Sequence, residues 1–340
     1  MERAVRSAHP STRSAGTPLL AVEDLNVWFD LPGGSVLHAV RGVSLDVESG
    51  ERVGVVGESG CGKTTTILAL MGLLPSSATV SGRILLEGED ILAGGEGTIR
   101  PHRWTDMAMV FQGAMNALNP VKRVGDQIVE PMELHGTSSG AAARRDAEEL
   151  LRLVGIAPQR AEDYPHQFSG GMRQRAALAM ALACNPKILL ADEPTTALDV
   201  MVQAQILELL VALSRDLGLA LVLVTHDLPV VAQVCERAAV MYAGELAESG
   251  PIDTLFHDPR HPYTRLLFAA TPDIDPGEGQ VVSIPGSPPR LDRAIAGCPF
   301  EPRCDRAFDP CPTVHPALRQ VGLRHTAACH LNDVAWTGST

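Results

Sequence analysis

Eight consecutive residues, Gly57-Glu58-Ser59-Gly60-Cys61-Gly62-Lys63-Thr64, constrain this chain more than any other feature. They fit G-x-x-x-x-G-K-S/T without a mismatch. The Val-rich run RVGVVG leads in and the helix-forming TTTILALMGLL leads out. A strand, a glycine-rich turn and a helix in that order make a cradle for phosphate. The glycines let backbone N–H groups wrap the oxygens, so Ser59, Gly60, Cys61, Gly62 and Thr65 are expected to line it. Lys63 neutralises β/γ charge, and the Thr64 hydroxyl can ligate Mg²⁺. Downstream, the apolar runs Ile188 to Ala191 and Leu219 to Val224 flank the helical pattern LDVMVQAQILELLVALSRDLG. Strand, helix, strand at that spacing is the βαβ unit of a parallel sheet, so an α/β fold is expected.

The first of those runs ends in Asp192-Glu193. Side chains alternate along a strand, so the two carboxylates can do different work: Asp192 can hold Mg²⁺ through water while Glu193 addresses an attacking water. Upstream, Phe168-Ser169-Gly170-Gly171-Met172-Arg173-Gln174-Arg175 places a hydroxyl and bare N–H groups where a helix begins. This segment resembles the signature motif of ATP-binding-cassette (ABC) ATPases. Gln112 in MVFQ, Asp199 in TTALD and His226 in VLVTHD follow that family's order.

The resemblance implies a RecA-like P-loop NTPase, an ABC nucleotide-binding domain with an antiparallel β subdomain and a helical subdomain at about 113–175. It implies that Phe29, or else Trp28, stacks on adenine, and that Gln112 touches Mg²⁺ and relays nucleotide state to a membrane subunit. Glu193 is the implied general base, His226 the γ-phosphate contact, and Asp199 a residue of the dimer seam. Ser169, Gly170 and Gly171 are implied to meet the γ-phosphate held by the other ATPase of a dimer. Cys61 is not expected to be catalytic, but its place at a helix N-terminus, which lowers a thiol pKa, makes it a candidate for alkylation.

Elsewhere the chain shows strand-like segments between Leu19 and Gly57, a hairpin around Gly88, and helices after Ser138-Ser139 and from Gly171 to Asn185-Pro186. Residues 1–18 read as a disordered tail and not as a secretory signal, 19–256 as the nucleotide-binding domain, and 257–340 as a Pro-rich C-terminal extension without long helices or an extensive core. With 28 Lys plus Arg against 40 Asp plus Glu, the net charge of −12 argues against coating nucleic acid. No apolar run approaches the roughly 20 residues that span a bilayer.

Of seven cysteines, Cys61, Cys184 and Cys235 are scattered, whereas Cys298, Cys304, Cys311 and Cys329 are spaced C-x5-C-x6-C-x17-C. Four thiols in a core-poor segment suggest a metal whose binding supplies folding free energy. Three readings stay open. Zn²⁺ usually takes a tight C-x2–4-C knuckle, which is missing; a 4Fe-4S cluster tolerates wider spacing; unliganded cysteines are the third.

Further segments are similar to one ABC branch, the ATPases of dipeptide, oligopeptide and nickel importers. They are Gly57-Glu58-Ser59-Gly60, Leu118-Asn119-Pro120, Met241-Tyr242-Ala243-Gly244-Glu245, His261-Pro262-Tyr263-Thr264-Arg265-Leu266-Leu267 and Ile284-Pro285-Gly286-Ser287-Pro288-Pro289. Gly113 departs from that branch, which commonly has Asp after the glutamine. The resemblance implies a peptide-importing ATPase on the cytoplasmic face of the membrane. Its implied partners are a second ATPase subunit in a heterodimer, two permeases and, indirectly, a substrate-binding protein. Some members of the branch hold a 4Fe-4S cluster in a cysteine-bearing extension. A nickel or other small-cargo importer, and a soluble cassette ATPase acting on ribosomes or nucleic acid, are the alternatives.

Overall fold

Alternating apolar and polar residues make β1 (Leu20–Asp30) and β2 (Val36–Val47), each burying one face. β3 (Arg52–Val56) is apolar and buried, and it runs into the phosphate loop and α1 (Lys63–Leu70). β4 (Ala78–Leu86) and β5 (Glu89–Asp90) form the hairpin around Gly88. Then come α2 (Glu96–Ile99), β6 (Met107–Val110), α3 (Val124–Leu134), α4 (Gly140–Leu153), α5 (Gly170–Ala181), β7 (Ile188–Asp192), α6 (Val200–Leu217) and β8 (Ala220–Val224). The chain continues through α7 (Leu228–Val234), β9 (Arg237–Tyr242), β10 (Glu245–Pro251), α8 (Ile252–His257), α9 (Pro262–Ala269), β11 (Arg319–Gly322) and β12 (His325–Ala327). This computed structural model describes residues 17–114, 117–196, 198–270 and 284–333. The tail expected over 1–18 therefore lies, but for its last two residues, outside the described residues.

The chain divides into two compact units. One contains Leu20–Asp46, Val53–Leu92 and the described residues from Val224 onward. In it, strands run in the order β2-β1-β4-β5 in one sheet, while β11-β12-β10-β9-β3 lie side by side in another. β1 pairs antiparallel with β4, Leu20 opposite Leu86, with a register shift between Glu23 and Asn26. There Asp24 takes a positive φ of 48° and Asn26 donates its amide to the Asp24 carbonyl at 2.8 Å. β3 is parallel to β9, Val53 opposite Arg237, and β10 is antiparallel to both β9 and β12. Residues beyond 257 thus share a unit with the phosphate loop.

The other unit contains Val47–Arg52 and Ala93–Leu223. Its strands run β6-β7-β8, with β6 parallel to β7 and Met107 opposite Ile188. α4 buries Ala143, Ala147 and Leu151, a spacing of four that lines one helix face. α3 buries Val124, Ile128 and Met132 at the same interval and packs on α4 despite Pro131 in its interior. α5 ends at Ala181, before the Asn185-Pro186 stop that the sequence suggests, because a turn closes residues 182–184.

Past Gly250 no helix among the described residues exceeds eight residues, as the proline density implies. That stretch nevertheless owns a compact aromatic core. Tyr263 and Phe300 are fully buried, with ring centroids 5.3 Å apart and Tyr242 4.5 Å from Tyr263. Among the described residues no helix is long and apolar enough to cross a membrane.

Candidate nucleotide site

The phosphate loop puts Gly62 at the N-cap of α1 with φ 104°, a left-handed conformation natural only to glycine. A Cβ there would stand 2.6 Å from the Ala39 carbonyl oxygen. Because Gly62 has no side chain to cap α1, the backbone of the first turn can serve an anion. Lys63 is buried, and its Nζ donates to the carbonyls of Gly57 at 2.7 Å and Glu58 at 2.9 Å. The ammonium therefore lies folded over its own loop. Ser59, Gly60 and Thr64 are exposed, and Thr65 is half-buried.

Cys61 corrects an expectation. Its thiol is buried, and burial raises its pKa more than the neighbouring Lys63, 3.7 Å away, lowers it. A buried, protonated thiol is a poor nucleophile whatever helix it precedes.

Glu58, unremarked by the sequence motif, is held from far along the chain. Arg303 grips its carboxylate with Nη1 and Nη2, at 2.6 and 2.9 Å, and the Glu58 backbone N–H donates to Tyr263 Oη at 2.9 Å. Also in this unit, Trp28 is stacked on His38 with centroids 4.6 Å apart, while half-buried Phe29 points to the opposite side of β1. His226 is exposed, just past β8 and just before Asp227, which caps α7 through Val230 N–H.

The other unit carries the acidic pair. Asp192 ends β7 fully buried; Glu193 follows with φ 44°, a strained backbone for a residue with a Cβ. Glu193 Oε2 accepts from Gln112 Nε2 at 2.8 Å and from Thr196 Oγ1 at 2.9 Å. Two residues expected at the site, Gln112 and Glu193, are thus in direct contact. Ser169 caps α5 by accepting from Met172 N–H at 3.3 Å, and Asp199 caps α6 by accepting from Val202 N–H at 2.9 Å. Both are exposed, as is Gln112. Between them, Gly170 opens α5, and Gly171 lies so near Val202 that a Cβ would meet its methyl at 2.6 Å.

The four C-terminal cysteines line one cavity with His261 and Phe300, and Cys298 N–H donates to the Cys311 carbonyl at 2.8 Å. Burial, reinforced by the other thiols, pushes Cys298 and Cys329 up to about 11. Among the described residues no group of three or more His, Cys, Asp or Glu is arranged to hold a metal ion. The fold thus brings the thiols to one cavity without closing them around an ion, and burial raises Cys304 as well. Nearby histidines are engaged elsewhere: His315 with Glu245 at 2.7 Å, His325 with Glu248 at 2.6 Å and His330 with Asp333 at 2.7 Å.

Residues 40–196 match the ABC transporter family, and residues 247–311 match the oligopeptide/dipeptide transporter C-terminal region. The chain is 47% identical over 319 residues to the dipeptide transport ATP-binding protein DppD of Bacillus subtilis strain 168, covering 93% of this chain and 95% of that one. It is 44% identical over 309 residues to the oligopeptide transport ATP-binding protein OppD of Escherichia coli K12, covering 90% and 91%. Among solved structures it resembles the ATP-binding cassette MJ0796 in a dimeric post-hydrolysis state bound to ADP and Pi. There the TM-score is 0.60 and the identity 28%, over 68% of this chain and 98% of that chain. CbiO1 from Clostridium perfringens, part of the transporter complex cbiONQ, matches with a TM-score of 0.59 and 29% identity, over 71% and 92%. A phosphate loop opening an uncapped helix, an acidic pair at a strand end and a likeness that runs through the C-terminal region lead to one conclusion: the chain belongs to the ATP-binding proteins of the ABC transporters, in the dipeptide and oligopeptide branch.

Proposed function

We propose that this chain is the ATP-hydrolysing subunit of a membrane importer for di- and oligopeptides. It works at the cytoplasmic face of the membrane with a second ATPase subunit and two permeases, which a substrate-binding protein supplies. The observation that carries the reading is the 47% identity over 93% of the chain to a dipeptide transport ATP-binding protein, which spans both the cassette and the C-terminal region.

In this reading the α1 N-terminus and residues Ser59 to Thr65 receive the phosphates, and Lys63 leaves the Gly57 and Glu58 carbonyls to meet the β/γ oxygens. Thr64, Gln112 and Asp192 would hold Mg²⁺, which when bound neutralises charge on the phosphate oxygens. Phe29 is the adenine partner, since Trp28 is already stacked on His38. Glu193 orients and deprotonates the attacking water once Gln112 turns from it, and His226 contacts the γ-phosphate. Ser169, Gly170, Gly171 and Asp199 face the nucleotide of the second ATPase subunit. The C-terminal cysteines are our candidate ligands for a 4Fe-4S cluster. Their place around one cavity supports a shared ligand, and their wide spacing, without a C-x2–4-C pair, favours a cluster over zinc. No step of hydrolysis runs through them.

The test is co-expression with the permeases and second ATPase, reconstitution into vesicles, and ATP-driven dipeptide uptake. Glu193→Gln is expected to lower turnover about 10³-fold while MgATP binding persists. Nickel uptake without peptide uptake would reassign the cargo, and full turnover by Glu193→Gln would remove that residue from catalysis. Anaerobic purification with iron, sulfide and zinc analysis tests the cysteines; an iron-free protein with one zinc would overturn the cluster.

A further inference from the structure

We propose that Arg303 and Tyr263, from the C-terminal part of the chain, are positioning residues for the phosphate loop: they hold Glu58, mask its charge and so keep the loop able to accept ATP. The inference rests on residues 57–65 being the nucleotide site.

The second position of the loop is one the phosphate pattern leaves open, yet here it is a carboxylate. A negative charge next to bound triphosphate is repulsive unless it is neutralised. Arg303 supplies the neutralisation with a two-pronged grip, Nη1 to Oε2 at 2.6 Å and Nη2 to Oε1 at 2.9 Å, across 245 residues of sequence. The guanidinium is itself buried, its side chain 4% exposed. A buried guanidinium is tolerable only when its fork is satisfied, and this one is. Nε donates to the Pro285 carbonyl at 2.7 Å and Nη1 also reaches Tyr242 Oη at 3.2 Å. The cation stands 5.7 Å from the Tyr242 ring centre and 5.9 Å from that of Phe300.

Tyr263 holds the same residue by its backbone. Its hydroxyl accepts the Glu58 N–H, and its ring is locked in the Tyr242–Phe300 cluster. The Glu58 carbonyl is one of the two that Lys63 occupies. Side chain, N–H and carbonyl of one loop residue are therefore all engaged, two of them by residues from beyond position 260. A loop so braced cannot change its curvature without moving the C-terminal segment.

The experiment uses the whole chain and reads KM for MgATP against kcat. Arg303→Met is expected to raise KM about tenfold, since hydrogen bonds to a charged group are lost and Glu58 is unmasked. It should change kcat by less than about twofold, the pattern of lost ground-state binding. Adding Glu58→Gln removes the unmasked charge and should bring KM back to within about threefold of the parent, a non-additive result that mere unfolding does not give. Tyr263→Phe keeps the ring packing and deletes only the acceptor; a KM rise of about threefold is expected, so the inference stays testable if Arg303→Met does not fold. An unchanged KM in folded Arg303→Met or Tyr263→Phe, or a double variant no better than Arg303→Met, overturns the inference. Lys63→Ala separates the two levels. If it abolishes MgATP binding while the Arg303 and Tyr263 variants behave as parent, only the brace fails. If it leaves binding intact, the nucleotide site itself is wrong.

Discussion

The phosphate loop and the signature segment both set backbone N–H groups at the start of a helix, and they finish those helices in opposite ways. α5 is capped by its own Ser169, exposed and local, three residues from the N–H it serves. α1 has no such cap: Gly62 offers no side chain, and the loop ahead of it is held instead by Lys63, Tyr263 and Arg303 from within the fold. A capped terminus is complete when the chain folds. An uncapped one, braced from behind, leaves its N–H groups for an anion. One chain thus carries one finished helix start and one kept ready for a ligand.

The contrast breaks most severely at Gly62. Gly62→Ala forces a Cβ to 2.6 Å from the Ala39 carbonyl at φ 104°. Left-handed strain of ~1–3 kcal/mol adds to that clash, so ATP affinity should fall at least about 100-fold in a nucleotide-binding titration. Parent-like affinity would mean the loop is not held as described.

The brace should also be weakened by acid. His261 caps α9 by accepting Tyr263 N–H on Nδ1 at 3.0 Å, which requires that nitrogen to be unprotonated. Burial, opposed by the nearby Glu248 charge, lowers the histidine from 6.5 to about 4. Between those values the unfolded chain binds the proton and the folded one does not. The contribution is therefore neutral above pH 6.5, and stability falls as pH drops toward about 4, by about 3 kcal/mol over the window. Unfolding midpoints measured across that range should flatten in His261→Asn, which keeps a capping side chain without the titration. An unchanged slope would assign the acid sensitivity elsewhere.

The smallest effect is expected at the capped helix. Ser169→Ala should cost about 1 kcal/mol of stability, seen as a slightly lower unfolding midpoint, with nucleotide binding by the isolated chain unchanged. Weakened binding in the isolated chain would erase the distinction between the two helix starts.

Where chemistry dictates residue type, the sequence was informative. Glycines, Lys63 and Thr64 in register, an apolar run ending in two acids, and Ser169 before two glycines place the loop, β7 and the start of α5 without coordinates. Regular burial also marks α4 through Ala143, Ala147 and Leu151. Other features have no local signature. Arg303 sits among prolines in no motif; only folding brings it to Glu58, 245 residues away. At Cys61 expectation and structure part because a helix terminus is visible in sequence and desolvation is not; burial is the larger influence. Cysteine spacing announces that four thiols are near one another along the chain, and they do share a cavity. Spacing does not say whether they close on an ion, since that depends on how irregular backbone between them turns.

The contact between Gln112 and Glu193 carries one more consequence. Glu193 receives the Gln112 amide and the Thr196 hydroxyl on a single oxygen. A carboxylate oxygen already accepting two hydrogen bonds takes a proton from water reluctantly. For the base proposed above, that contact is a catch, which Gln112 has to release before water can be deprotonated.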